Sequence, residues 1–153
     1  MNINGAQLHL LINHFPVVGF PIVFLTFVWA FWRNESEVFL YGAYLTILIW
    51  ILTLVSYFTG EGAEVTINTL DGFQIDLVHH HEDTAFIALI FGSVLALLSL
   101  GILPIVKRKI TWLQEARRFR FLQFTLIFGV LILSLVFAYA AHQGGLIRHS
   151  EIR

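Results

Sequence analysis

Three imidazoles and three carboxylates stand within one eight-residue stretch, Asp76-Leu77-Val78-His79-His80-His81-Glu82-Asp83. Imidazole and carboxylate together ligate non-haem metals, and imidazole alone suffices for a haem iron. Asp76 and His79 also have the i, i+3 spacing of a carboxylate–histidine metal pair on one helix face, in a single copy. The remaining histidines are His9, His14, His142 and His149. Which chemistry is open to these groups depends on the elements that carry them.

Those elements read as membrane spans. The hydrophobic fraction is 58% and the charged fraction 12%, about half the usual charged share. Four apolar stretches, residues 16–32, 38–59, 84–106 and 121–141, approach or exceed the roughly 20 residues needed to cross a bilayer core. Fifteen Phe and four Trp suit lipid-facing surfaces and interfacial belts. The expectation is one domain over residues 1–153, an all-α integral-membrane four-helix bundle.

Charge orients it. Lys107, Arg108, Lys109, Arg117, Arg118 and Arg120 lie between the third and fourth spans. Between the second and third there is no Lys or Arg, only Glu61, Glu64, Asp71, Asp76, Glu82 and Asp83. The positive-inside rule puts the basic loop in the cytoplasm and both termini outside. The first 32 residues hold no Lys or Arg, so an ordinary signal peptide is not expected. The placement is a multi-pass protein of the bacterial inner membrane, with the acidic, histidine-rich side facing the periplasm. The basic segment 107–120 reads as an inner-surface amphipathic stretch anchored by Trp112 and Leu113, with no nucleic-acid role.

Glycine and proline mark the expected helix ends. Asn13-His14-Phe15-Pro16 interrupts a short apolar start, and Asn caps while Pro opens helices. The first span then begins near Pro16, preceded by a short interfacial helix over residues 6–12. The alternative is one helix kinked at Pro16. Thr59-Gly60-Glu61-Gly62 suggests the end of the second span; if helical geometry continues there, Glu61 and Glu64 share a face. Gly144-Gly145 is expected to end the fourth span and let the tail fold back, bringing Arg148, His149 and Glu151 over the outer end.

With these spans, all seven histidines fall on the outer half, joined by Glu61, Glu64, Glu82 and Glu151. Ionisable groups near lipid are costly enough to need a reason. No charged residue lies mid-span, so a complete transmembrane proton path is not expected. The absence of cysteine removes covalent c-type haem, thiolate clusters and disulfides. A haem b needs one or two imidazoles: His14 and His142 are the candidate axial ligands, His81 could replace either, and Arg148 could pair with a propionate. Without inner-side histidines, one haem is expected. A non-haem Fe, Cu, Mn or Zn centre would instead use His14, His81 and His142 with Glu61 or Glu64, supported by Glu82, Arg148 and His149. A third reading is an accessory subunit of a larger membrane complex, without its own cofactor.

Leu8-His9-Leu10-Leu11-Ile12-Asn13-His14-Phe15-Pro16, Thr59-Gly60-Glu61, His81-Glu82 and Gly144-Gly145-Leu146-Ile147-Arg148-His149 resemble a family of small four-span bacterial membrane proteins of unknown function. Their N-H-F-P opening is the most recognisable part, and the resemblance covers essentially the whole chain. It implies the four-helix bundle and singles out His14, Glu61, Glu64, His81, Glu82, His142, Arg148 and His149, without supplying a reaction. The general look is similar to small membrane b-type cytochromes, from whose two-haem pattern this chain departs by lacking inner-side histidines. The expectation is a membrane redox protein in the lipid bilayer, haem b favoured. It would transfer electrons to a partner or within a larger complex.

Overall fold

A computed structural model of the protein describes residues 4–67, 75–107 and 116–148. They form four helices: α1 (Gly5–Arg33), α2 (Ser36–Ile67), α3 (Ile75–Lys107) and α4 (Ala116–Arg148). All four are long and apolar enough to cross a membrane. At 29 to 33 residues each, they run about 43–50 Å, well beyond a hydrocarbon core of about 30 Å. Each is apolar around its whole circumference, as expected of a helix that meets protein on one side and lipid on the other.

Local chemistry sets the ends of α1. Asn4 accepts from the Gln7 backbone N–H at 2.9 Å while Gln7 Oε1 accepts from the Asn4 N–H at 3.2 Å, a reciprocal capping box. At the other end Asn34 adopts a left-handed φ of 55° and its N–H returns to the carbonyls of Ala30 and Phe31. The turn is so short that α1 and α2 must lie antiparallel.

Several expected helix ends are absent. α1 runs unbroken from Gly5 through Pro16 and Pro21; there is no separate helix over residues 6–12, and the continuous alternative is the observed one. α2 continues through Gly60 and Gly62 to Ile67, and α4 through Gly144 and Gly145 to Arg148. In these places glycine provides room instead of a stop. A Cβ at Gly5 would come within 2.2 Å of the Gly62 carbonyl oxygen, so this pair lets α1 and α2 touch backbone to backbone. The expected fold-back of the tail falls on residues 149–153, outside the described part of the chain.

The helices pack as a ring in chain order, α4 closing on α1, with no contact across either diagonal at the level of the backbone. Fully or nearly buried positions recur at alternating steps of three and four: Pro16, Phe20, Val23, Phe27 and Ala30 on α1; Phe39, Gly42, Thr46, Ile49, Thr53 and Ser56 on α2. The same steps recur at Ala88, Gly92, Leu95, Ser99 and Ile102 on α3, and at Gln123, Leu126, Val130, Leu133, Phe137 and Ala140 on α4. This is a coiled-coil seam, and α1–α2 matches α3–α4 position for position. The two hairpins are therefore equivalent halves about the bundle axis. Phe20 stacks on Phe137 at 5.2 Å and Phe27 packs on Phe39 at 5.0 Å to fill the middle. Trp50 Nε1 donates to Ser93 Oγ at 3.0 Å, tying α2 to α3.

The two kinds of glycine predict opposite outcomes. Gly5→Ala should destabilise the bundle by about 1–3 kcal/mol because its methyl meets backbone. Gly101→Ala meets nothing within 4 Å and should be neutral or stabilise by about 0.5–1 kcal/mol. Denaturant unfolding of both variants in one detergent checks the sign.

Candidate functional site

Continuing the seam toward the end of the bundle where α1 and α3 begin leads to His9 on α1, His81 on α3, Gly60 on α2 and Gly144 on α4. The imidazoles occupy one diagonal of the ring and the glycines the other. His9 and His81 are half-buried, and their ring centroids lie 6.3 Å apart with planes at 89°. They meet across an axis that the helix backbones do not cross.

Each ring is anchored in the same way. His9 Nδ1 lies 3.0 Å from the Ser56 carbonyl and 3.2 Å from Thr59 Oγ1, whose own hydroxyl donates to Ser56 at 2.8 Å. His81 Nδ1 lies 2.9 Å from the Ala140 carbonyl. Ser56 and Ala140 are equivalent in the two hairpins. Both carbonyls lie inside helices, and each has a second lone pair to offer. One turn further on, a glycine stands beside each ring. A Cβ at Gly144 would stand 3.3 Å from His81 Cε1, and one at Gly60 3.8 Å from His9 Cε1.

The bonds also settle the tautomer. A carbonyl only accepts, so each Nδ1 carries the hydrogen, and in the neutral ring Nε2 keeps its lone pair. An imidazole whose Nδ1–H is held by a backbone carbonyl is the usual form of a metal-ligating histidine. One further polar group lies on the buried face of α4 beside Gly144: Gln143 is 8% exposed and its Oε1 has no partner among the described residues.

The other candidates sit elsewhere. His14 is exposed, its Nδ1 bonded to the Leu10 carbonyl of its own helix. His142 is exposed on α4. Glu61 is exposed and Glu64 half-buried, on the continuing helix that places them on one face. Glu82 is exposed and pairs with His79 at 3.5 Å on the outside of α3. Arg148 is the last residue of α4, and His149 lies outside the described residues. Among the described residues, no group of three or more His, Asp or Glu side chains could hold a metal ion.

Sequence reasoning singled out His81 and passed over His9. The signal that finds it is the seam register: of the six histidines among the described residues, only His9 and His81 continue the three–four spacing of the buried positions.

Histidine ¹⁵N NMR of the protein in micelles should show His9 and His81 protonated at Nδ1 and bare at Nε2. Thr59→Val should leave the His9 tautomer in place, because the Ser56 carbonyl remains. An Nε2–H form at either ring would contradict the geometry. Comparison with protein-family models, curated proteins and solved structures found no match to the chain.

Proposed function

We propose that this is a membrane electron-transfer protein that holds one haem b between His9 and His81. The observation that supports this most is the imidazole pair itself. It stands on opposite corners of the bundle, each ring fixed through Nδ1 and left with a lone pair at Nε2. Two metal–imidazole bonds of about 2 Å each, plus the ring radii, place centroids roughly 6 Å apart, and the pair stands at 6.3 Å. The seam positions that face the gap from the other two helices, Gly60 and Gly144, carry no side chain.

The number of ligands favours haem over a bare metal ion. A porphyrin brings four nitrogens and asks the protein for two imidazoles at most. A non-haem centre draws three or more ligands from side chains, and the described residues assemble only two histidines at this point. When bound, a haem b would supply reversible one-electron transfer. The chain's own part is to orient two imidazoles and exclude most water from between them.

By the positive-inside argument this end of the bundle faces the periplasm of a bacterial inner membrane, with both termini on that side. Half-exposed rings near a membrane surface suit exchange with a docking partner.

Absorption spectra of the detergent-purified protein, oxidised and then dithionite-reduced, should show a sharp Soret and α band at about one haem per chain. His9→Ala and His81→Ala should each abolish most of that absorbance, while His14→Ala/His142→Ala and Glu61→Gln should leave it intact. A colourless wild-type protein, or full haem occupancy in the His9→Ala/His81→Ala double variant, would sink the assignment. Elemental analysis of the same sample detects a metal bound without porphyrin.

A further inference from the structure

Threonines in this bundle follow one pattern, and Thr59 departs from it. Thr26, Thr46, Thr53, Thr84 and Thr125 each donate to the carbonyl four residues back on their own helix. That bond satisfies a hydroxyl within the helix that carries it. Thr59 donates instead three residues back, to the Ser56 carbonyl at 2.8 Å. A helical threonine can take either bond; what sets Thr59 apart is its neighbour. His9 Nδ1 lies 3.2 Å from its oxygen and 3.0 Å from the same Ser56 carbonyl.

The result is a closed triangle of ring N–H, hydroxyl and carbonyl. The Thr59 hydrogen is engaged by Ser56, so toward the ring the hydroxyl oxygen acts as an acceptor. The His9 hydrogen is therefore shared between two oxygens, a three-centre bond. Each member fixes the other two.

The other hairpin lacks this arrangement. Ala140 supplies its carbonyl to His81 Nδ1 at 2.9 Å, as Ser56 does to His9. The position equivalent to Thr59 is Gln143, whose Oε1 has no partner among the described residues. No second acceptor comes to His81 from there. The two rings share a frame and differ in their acceptors.

We propose that Thr59 is a positioning residue for His9 and makes the two imidazoles unequal as donors at Nε2. An acceptor on Nδ1–H fixes the orientation of the ring and raises the basicity of the opposite nitrogen. Among the described residues, His9 has two such acceptors and His81 has one. Under the haem reading above, His9 is then the tighter ligand. Thr59 also favours the oxidised iron over the reduced, because the higher charge gains more from a stronger donor. That use of the pair rests on the haem reading; the inequality of the rings does not.

The first test needs no haem. In the full chain, labelled with ¹⁵N-histidine and purified haem-free in micelles, solvent exchange of each Nδ1–H is followed by NMR. Thr59→Val, which keeps the shape and removes the hydroxyl, should speed exchange at His9 roughly fivefold. The rate at His81 should not change, and Thr59→Ser should restore the wild-type rate at His9. The second test uses haem-loaded protein. There Thr59→Val should raise the midpoint potential and weaken haem binding about tenfold, with Thr59→Ser again like the wild type. An exchange rate at His9 that Thr59→Val leaves unchanged, or a change that Thr59→Ser fails to reverse, would overturn the proposal. A chain that takes up no haem yet shows the effect at His9 keeps the positioning role and removes the haem reading. Haem bound with a potential and affinity indifferent to Thr59 does the reverse.

Discussion

The histidine end of the bundle depends on one interaction made twice: an imidazole N–H on one helix bonded to a main-chain carbonyl of the next. A carbonyl inside a helix already accepts from the N–H four residues on and offers the ring its second lone pair. At Gly144 a Cβ would press on the His81 ring, while at Gly60 it would meet the His9 ring in ordinary contact. Gly144 thus gives the His81 ring its room, although it makes no bond to it. A half-buried imidazole without such a partner would carry the desolvation cost of an unpaired N–H, about 1–3 kcal/mol. With it, each ring is held at one nitrogen and presented at the other.

The same logic explains why the two hairpins are equivalent in register but not in composition. The seam positions of α1 and α3 differ throughout, with Phe20 matched by Gly92 and Phe27 by Ser99. A large residue on one corner is met by a small one across the ring, which keeps the middle close-packed. Where the halves do agree in side chain is at the end, in the histidine pair and the glycine pair. Thr59 bonds His9, while its equivalent on α4 is Gln143, whose oxygen has no partner among the described residues. The site is two-fold in frame and asymmetric in detail.

Four helices of membrane-crossing length were legible from apolar run length alone, because lipid and core select the same side chains over about 20 residues. The helix ends expected at glycine and proline were not. Asn13-Pro16, Thr59-Gly62 and Gly144-Gly145 carry the residue types that stop helices in water, yet none stops one here. Between neighbouring helices the lost backbone bond of proline is tolerated, and glycine serves close approach. That misreading also hid His9. Once the chain before Pro16 is taken as a separate piece, His9 has no register, and attention passes to His14 in the more conspicuous N-H-F-P sequence. His81 sits in an acidic histidine run, but His79, His80 and Glu82 around it are exposed, and the ring it faces is that of His9 on α1. Charge and residue type mark this end of the molecule as polar, and the period of burial distinguishes inward from outward there.

The length by which the helices outrun the bilayer has an electrical consequence. Measured from Trp32 and Arg33, the hydrocarbon ends near Asn13, and His9 stands about 6 Å beyond it. Moving one charge across a whole membrane at 100 mV involves about 2.3 kcal/mol, but a group outside the low-dielectric layer feels only a small share of that drop. Under the haem proposal, charge arriving at His9 and His81 from the same side, and leaving to it, would do no appreciable work against the membrane potential. A haem there would relay along the surface, indifferent to whether the membrane is energised. A haem-carrying pump would need its site in the middle, where this chain places phenylalanine.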